Sequence, residues 1–242
     1  MIKIIYQFSM INIIKYEDLG GADHGWLKAK HHFSFASYQD PNRVRFGPMR
    51  VINDDVVAPK KGFDPHPHDN MEIITYVRSG AITHKDDMGN EGRTEAGDVQ
   101  VMSAGTGVVH SEYNLENEAT NLYQIWMFPN KKNVKPRWDA KQFPKEPVEG
   151  KLKPLVTGFD SDHNDSLKIY QDAIIYAGKV NKGKSVEQTI DRDQAYVLCS
   201  EGKIKINDIE IKKGDGAEIT DLKNVKITSL EDSEILFIDL PR

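Results

Sequence analysis

Apolar and polar residues alternate along most of this chain, or gather in short apolar runs closed by turn residues. A period of two buries one side of an extended segment, whereas a helix needs apolar positions three and four apart. No segment keeps a convincing helical spacing. The pattern predicts strands at 44–52 (VRFGPMRVI), 71–79 (MEIITYVRS), 81–86 (AITHKD), 98–104 (DVQVMSA) and 121–128 (NLYQIWMF). Turn chemistry separates them: Ser79-Gly80, the stretch DDMGNEG at 86–92, and Ala96-Gly97-Asp98. Many short strands at close spacing imply a sandwich or barrel.

From Pro129 to Pro154 the text changes to PNKKNVKPRWDAKQFPKEPVEGKLKP. It is rich in Pro and Lys and poor in aliphatics, as a connection between two lobes should be. Strand text then resumes with SLKIYQDAIIYAGKV, SVEQTI, QAYVLCSEG, KIKINDIEIKKGD, VKITSL and SEILFIDL. KIKINDIEIKKGD predicts a hairpin turning at Asn207-Asp208. The two halves share an order: a strand ending in Gly, a hairpin, a Gly-Asp turn and a further strand. EAGDVQVMSAG closes that order in the first half and KKGDGAEIT in the second. The expected fold class is all-β, with two tandem barrels: 1–135, a linker at 136–155, and 156–242. No histidine follows His163, so the second barrel is expected to hold no metal.

Composition narrows the function classes. A chain of 242 residues with 38% hydrophobic content can bury one large core or two small ones. A formal charge of -5 does not suit a nucleic-acid surface, and no apolar run is long enough for a transmembrane helix. The single cysteine, Cys199, excludes an intrachain disulfide and reads as a buried structural thiol. It agrees with a reducing compartment, and a cytoplasmic location is expected. The opening MIKIIYQFSMINIIKY has no long uninterrupted apolar run and no small-residue cleavage site, so it does not read as a signal peptide. Met10 is a candidate alternative start. Residues 1–9 then form an extra edge strand or an extension.

The candidate chemistry lies in two short pairs, His66 and His68 in HPH, and His110 and Glu112 in HSE. Residues two apart on a strand point the same way, about 6–7 Å apart. Two such pairs on neighbouring strands would aim three imidazoles and one carboxylate at one point. Pro65 and Pro67 favour the extended backbone this needs, and Gly105 and Gly107 allow a tight turn before His110. A lone HxH pair is often a surface accident; a second pair carrying a carboxylate, a strand's length away, favours a metal site. His24, His31 and His32 read as packing or surroundings, His84 as an exposed hairpin residue and His163 as a loop residue. Three nitrogens and one oxygen suit Fe, Cu, Ni, Co, Mn or Zn. Four ligands would close a tetrahedral zinc site but leave two places on an octahedral ion, and Fe(II) is the first choice. One carboxylate leaves a divalent ion with a net positive charge, which favours an enolic or phenolic substrate bound as an anion.

At these residues the chain resembles a cupin. Gly62, His66, His68, Glu72 and Gly80 match the first cupin motif, and Gly97, Gly105, His110 and Asn114 the second. Ser103 stands where Pro is usual, and four residues separate Gly105 from His110. Those departures resemble the pirin family, as do Met71-Glu72 after HPH, the GNEG turn, MSAGTGVVHSEYN and LYQIWMFP. ADHGWLKAKHHFSFASYQDP and RVRFGPMRVINDD are similar as well. The resemblance runs from about 12 to 145 by motif, and from 150 to 242 by order and length. It implies a bicupin with one metal, in the leading barrel, held by His66, His68, His110 and Glu112. Glu72 sits at a usual cupin ligand position that pirins do not generally use, and is expected beside the ligands or in the pocket wall.

Within the pirins the chain is most similar to bacterial pirin-like quercetin 2,3-dioxygenases. That implies metal-dependent cleavage of a flavonol by dioxygen, with release of carbon monoxide and a depside. Glu112 is the expected base because a monodentate carboxylate keeps a free oxygen, and Glu72 is the second candidate. Phe63, Met71, Tyr113 and Trp126 are candidate pocket walls, although ordinary barrel packing would use them equally. The expected partners are an aromatic or enolic small molecule and O2, with no nucleic acid and no membrane, in a monomer. Two other readings stay open: a metal- and redox-sensing regulatory binding protein, and a cupin enzyme acting on another enolisable small molecule.

Overall fold

The computed structural model describes residues 10–242; the readings made of residues 1–9 lie outside the described residues. The described residues form 22 strands, and their one helical element is a 3-10 turn at Tyr16–Asp18. The all-β expectation holds. No helix among them is long and apolar enough to cross a membrane. Two compact units result.

The unit that carries the candidate site comprises Asp18–Glu146 and Pro154–Ile174. Its seven-stranded sheet runs in the order Arg137–Lys141, Val99–Ser103, Glu72–Ser79, Thr120–Met127, Met49–Val57, Leu27–His31 and Gly20–Asp23. A four-stranded sheet runs Gly62–His68, Val108–Tyr113, Ala81–Asp86 and Glu91–Glu95. The sheets bury their apolar faces against each other. Val77 and Leu122 of the larger sheet pack with Ile82 of the smaller, and Ile73 and Met102 pack with Val108.

Three sequence expectations need correction here. The strand expected at 44–52 starts at Met49 and continues to Val57. Before it, Phe46 and Met49 bridge across a turn in which Gly47 has φ +56°. Beyond Ile52, the polar run Asn53, Asp54 and Asp55 stays extended and buried because it is paired on both sides, by Leu27–His31 and by Thr120–Met127. Tertiary pairing overrides local propensity there.

Part of the expected linker at 136–155 is strand, at Arg137–Lys141 and from Lys153 onward. Arg137–Lys141 adds to Val99–Ser103 in register Arg137↔Ser103, and Trp138 anchors it on the cluster of Ile73, Met102 and Val108. One tryptophan in Lys-rich text supplies the apolar contact that the composition hid.

The expected first domain also begins too early. The described residues up to Glu17 belong with Pro147–Lys153 and Ile175–Arg242. Met10–Ile14 pairs antiparallel with Gly216–Thr220, next to Gln194–Glu201. In that unit the predicted hairpin Lys203–Ile206 to Ile209–Lys212 turns through Asn207 at φ +50°, a left-handed conformation that Asn tolerates. Cys199 is buried, and burial pushes its thiol up to about 12, so it stays protonated and inert.

The turn before His110 depends on Gly105. Its φ is +49°, and a Cβ there would lie 2.1 Å from the Val134 carbonyl oxygen. Gly183 is also left-handed, at φ +79°, but a Cβ there meets nothing within 4 Å. Gly183→Ala should therefore cost about 1 kcal/mol, and Gly105→Ala about 3 kcal/mol because backbone must move as well. Thermal unfolding of the two variants checks this; equal losses would show that the Val134 contact is not tight.

Candidate metal centre

The two histidine-bearing strands lie side by side. Gly62–His68 pairs antiparallel with Val108–Tyr113, with His66 opposite His110, His68 opposite Val108 and Glu112 opposite Phe63. A bulge between His110 and Glu112 re-aims the second pair. Gly62–His68 is the edge of its sheet, where Pro65 and Pro67 can dispense with a backbone donor.

This pairing brings three rings together. Ring centroids are 4.9 Å apart for His66 and His68, 4.5 Å for His66 and His110, and 5.0 Å for His68 and His110. One nitrogen from each lies within 4.8 Å of the other two. His66 Nδ1 donates to the Asp64 carbonyl at 2.7 Å, which leaves its Nε2 with a lone pair. His68 Nε2 and His110 Nε2 are buried without a hydrogen-bond partner. Burial, followed by the neighbouring imidazoles, pushes His68 down to about 4 and His110 down to about 3. Both rings are neutral at neutral pH, the form that ligates metal.

Glu112 is buried on the same cavity. Its Oε1 accepts from Gln100 Nε2 at 2.6 Å and Thr75 Oγ1 at 3.2 Å, and its Oε2 accepts from Gln124 Nε2 at 2.6 Å. Neutral donors thus hold a buried carboxylate without neutralising it. A candidate donor atom of Glu112 lies within 4.8 Å of ones from His84 and His110, whereas the corresponding group of His66, His68 and His110 does not include it. The donor set fits a transition ion: orphaned imidazole lone pairs beside a carboxylate with no cationic partner among the described residues.

The cavity has an empty volume of about 770 Å³ including its open mouth. Phe35, Phe63 and Trp126 give it an aromatic wall, with Phe35 edge-on to Trp126 at 5.5 Å. A polar side follows. His31 Nδ1 bonds Asn53 Oδ1 at 2.8 Å, and Asp55 lines the cavity with Oδ1 unpartnered. Burial, then the charges of Asp54 and Glu112, raises the Asp55 carboxyl well above the usual range. Asp55 was missed in the sequence because NDD resembles the end of a strand. Its signal was the alternation Asn53, Asp55 continuing the inward face.

Several residues stand elsewhere than expected. Glu72 does not line the cavity. Its neighbour Ile73 faces the cavity, so alternation turns Glu72 away, where its Oε2 accepts from Ser103 Oγ at 2.7 Å and Tyr170 N at 3.1 Å. Ser103, the residue that replaces a usual proline, is thus the partner of Glu72. His84 is buried, not exposed. Met71 packs into the Ile73 cluster and the Tyr113 hydroxyl bonds Asp64, so neither walls the cavity, whereas Phe63 and Trp126 do. His24 and His31 line the cavity; His32 is buried and pushed down to about 3 by burial.

The family described as Pirin matches residues 13–127, and the family described as quercetinase C-terminal cupin domain matches 157–240. A pirin-like protein of Caulobacter vibrioides is 50% identical over 231 residues, covering 95% of this chain and 99% of that one. A quercetin 2,3-dioxygenase of Escherichia coli is 42% identical over 234 residues, covering 96% and 99%. The crystal structure of the bacterial pirin YhhW from Escherichia coli in complex with nickel(II) has a TM-score of 0.89 at 38% identity, covering 96% of this chain and 99% of that chain.

Glu72 generates a pH dependence. Burial raises its carboxyl from 4.5 to about 7. The folded state therefore holds this proton more tightly than the unfolded chain does. The resulting stability is present in full below about pH 4.5 and is lost as pH rises through about 7. Glu72→Gln cannot ionise, so its melting temperature should rise relative to the parent by roughly a few degrees between pH 5 and pH 8. A difference that stays constant over that range would show that Glu72 does not titrate there.

Proposed function

Because the chain belongs to the pirin family, we propose that it is a metal-dependent dioxygenase that opens a flavonol ring with O2, releasing carbon monoxide and a depside. The observation that carries this reading is the convergence of three imidazoles, two with orphaned buried nitrogens, beside a buried carboxylate in an aromatic-walled cavity. His66, His68, His110 and Glu112 are the proposed ligands. Iron(II) is the proposed ion, and copper, nickel, cobalt, manganese and zinc share the same donor chemistry. The related YhhW forms a complex with nickel(II), which supports binding of a divalent ion by this chain. Bound here, such an ion would supply Lewis acidity toward a substrate hydroxyl and redox access to dioxygen.

The chain's own residues do the rest. Phe35, Phe63 and Trp126 suit the faces and edges of a flat polyphenol and keep water from it. Glu112 Oε2 accepts a single hydrogen bond, from Gln124, and is the oxygen proposed to take the proton of the substrate's hydroxyl. Ionising that hydroxyl makes the ring electron-rich. Its carbons are then oxidised as dioxygen is reduced. Both oxygen atoms enter the depside, and one ring carbon leaves with its own oxygen as carbon monoxide.

Metal-loaded protein should consume quercetin and O2 and release carbon monoxide in equal amounts, followed by absorbance, an oxygen electrode and carbon monoxide trapping. Fully loaded protein that leaves quercetin intact would overturn the activity. His110→Ala should lose most bound metal and all turnover; if it cleaves flavonol as fast as the parent, the ligand assignment is wrong.

A further inference from the structure

His84 lies one strand behind the proposed ligands and has no place in the chemistry above. It sits on Ala81–Asp86, which pairs with Val108–Tyr113 so that Asp86 is opposite His110 and His84 opposite Glu112. The ring is fully buried and stacks on Trp138, with centroids 5.0 Å apart and planes 9° from parallel. Gly92, opposite His84 in the hairpin, leaves the room that Trp138 fills. Both His84 nitrogens are engaged. Nε2 is 3.0 Å from Asp86 Oδ2, and Nδ1 is 3.3 Å from His110 Nδ1.

The direction of these bonds follows from their far end. Asp86 Oδ1 accepts from the backbone of Met88 at 3.0 Å and of Asn90 at 2.9 Å, and Oδ2 also accepts from Asn90 Nδ2 at 2.9 Å. A carboxylate surrounded by donors is an acceptor toward His84 as well, so His84 Nε2 carries hydrogen. At the other end, His110 Nε2 is buried with no acceptor within reach, so the His110 ring hydrogen belongs on Nδ1 and the His84 Nδ1 lone pair accepts it. The last nitrogen in the series, His110 Nε2, is left bare, and it is one of the orphaned atoms. His84, His110 and Glu112 group closely enough to suggest a second ion site, but a His84 with both nitrogens used has no lone pair to give.

We propose that Asp86 and His84 are positioning residues that fix His110 in the Nδ1–H tautomer and so prepare its Nε2 to hold a transition metal. This rests on the reading of His110 as a ligand. Hydrogen-bond partners behind metal-bound histidines hold ring orientation and raise ligand basicity, and their loss typically weakens binding about 10- to 100-fold.

The tautomer is readable without any variant. Nitrogen NMR of the metal-free protein should show His110 protonated at Nδ1 and bare at Nε2; the opposite tautomer overturns the proposal. His84→Leu keeps the bulk and removes the acceptor. Its affinity for Co(II), measured against a chelator, should fall about 10- to 100-fold, with a changed Co(II) visible spectrum. His84→Gln offers a side-chain oxygen to His110 and should recover most of that loss. Leu and Gln variants that bind Co(II) as the parent does overturn the proposal, as does equal loss in both. If His84→Leu does not fold, the NMR measurement and Asp86→Asn decide: Asp86→Asn should weaken Co(II) binding, and parent-like affinity in it overturns the proposal. Parent protein that binds Co(II) normally but spares quercetin would sink the dioxygenase reading and leave this one standing. A His110→Ala variant that binds Co(II) as the parent does would sink both.

Discussion

Everything at the candidate site hangs on the register between Gly62–His68 and Val108–Tyr113. A slip of Gly62–His68 by one residue would turn His66 and His68 to the face opposite His110. Several contacts hold that register. The backbone of Gly62 passes so close to Glu112 that a Cβ would lie 2.2 Å from its carbonyl oxygen. At the other end, the Asn70 amide donates to the Gly105 carbonyl at 2.9 Å. Just past Tyr113, buried Asn114 donates to the carbonyls of Val57 and Glu118 at 3.0 and 2.8 Å, tying the strand to the larger sheet. The cupin-motif glycine and asparagine thus act on the site without touching it.

Burying a carboxylate is costly unless donors surround it. The fold meets that cost in two ways on one strand. Asp54 takes both arms of Arg78, at 2.9 and 3.2 Å, and becomes a neutral pair. Asp55, its neighbour, faces the cavity with no cation beside it among the described residues, and burial, then the charges of Asp54 and Glu112, favours its neutral, protonated form. Glu112 itself is held by two glutamine amides and a threonine hydroxyl. An arginine there would hold the charge as firmly but would cancel it. Neutral donors leave the negative charge available to an incoming cation, which is the electrostatic requirement of a metal ligand.

Much of this was legible in the chain because period-two text carries facing information directly. HPH and HSE gave three converging rings, and Asn207-Asp208 gave its hairpin. What failed was facing set by distant partners. AITHKD reads as an exposed hairpin arm, yet His84 is covered by Trp138 from text that composition assigned to a linker. Glu72 occupies a motif position, but Ile73 takes the inward face and leaves Glu72 on the other side of the sheet. The polar run at 53–55 does not resemble a strand, and only its two flanking partners keep it extended. Likewise, Met10–Ile14 reads as the start of the first barrel, although its sheet partner is more than two hundred residues away.

The two halves of the proposed ligand set are built differently, and the difference follows from sheet position. His66 and His68 lie on an edge strand and are half-buried, and the bond recorded for His66 is to Asp64, two residues back. His110 and Glu112 lie one strand further in, are buried, and are each fixed by side chains from neighbouring strands. An edge strand is stiffened against pairing with another chain when it carries prolines, and Pro65 and Pro67 do that here. The inner pair would therefore define where a cation sits, through contacts that reach across the sheets. The outer pair would close on it through local backbone geometry. Rigid placement of one half with accessible placement of the other would reconcile a firmly held ion with a cavity that stays open to a guest.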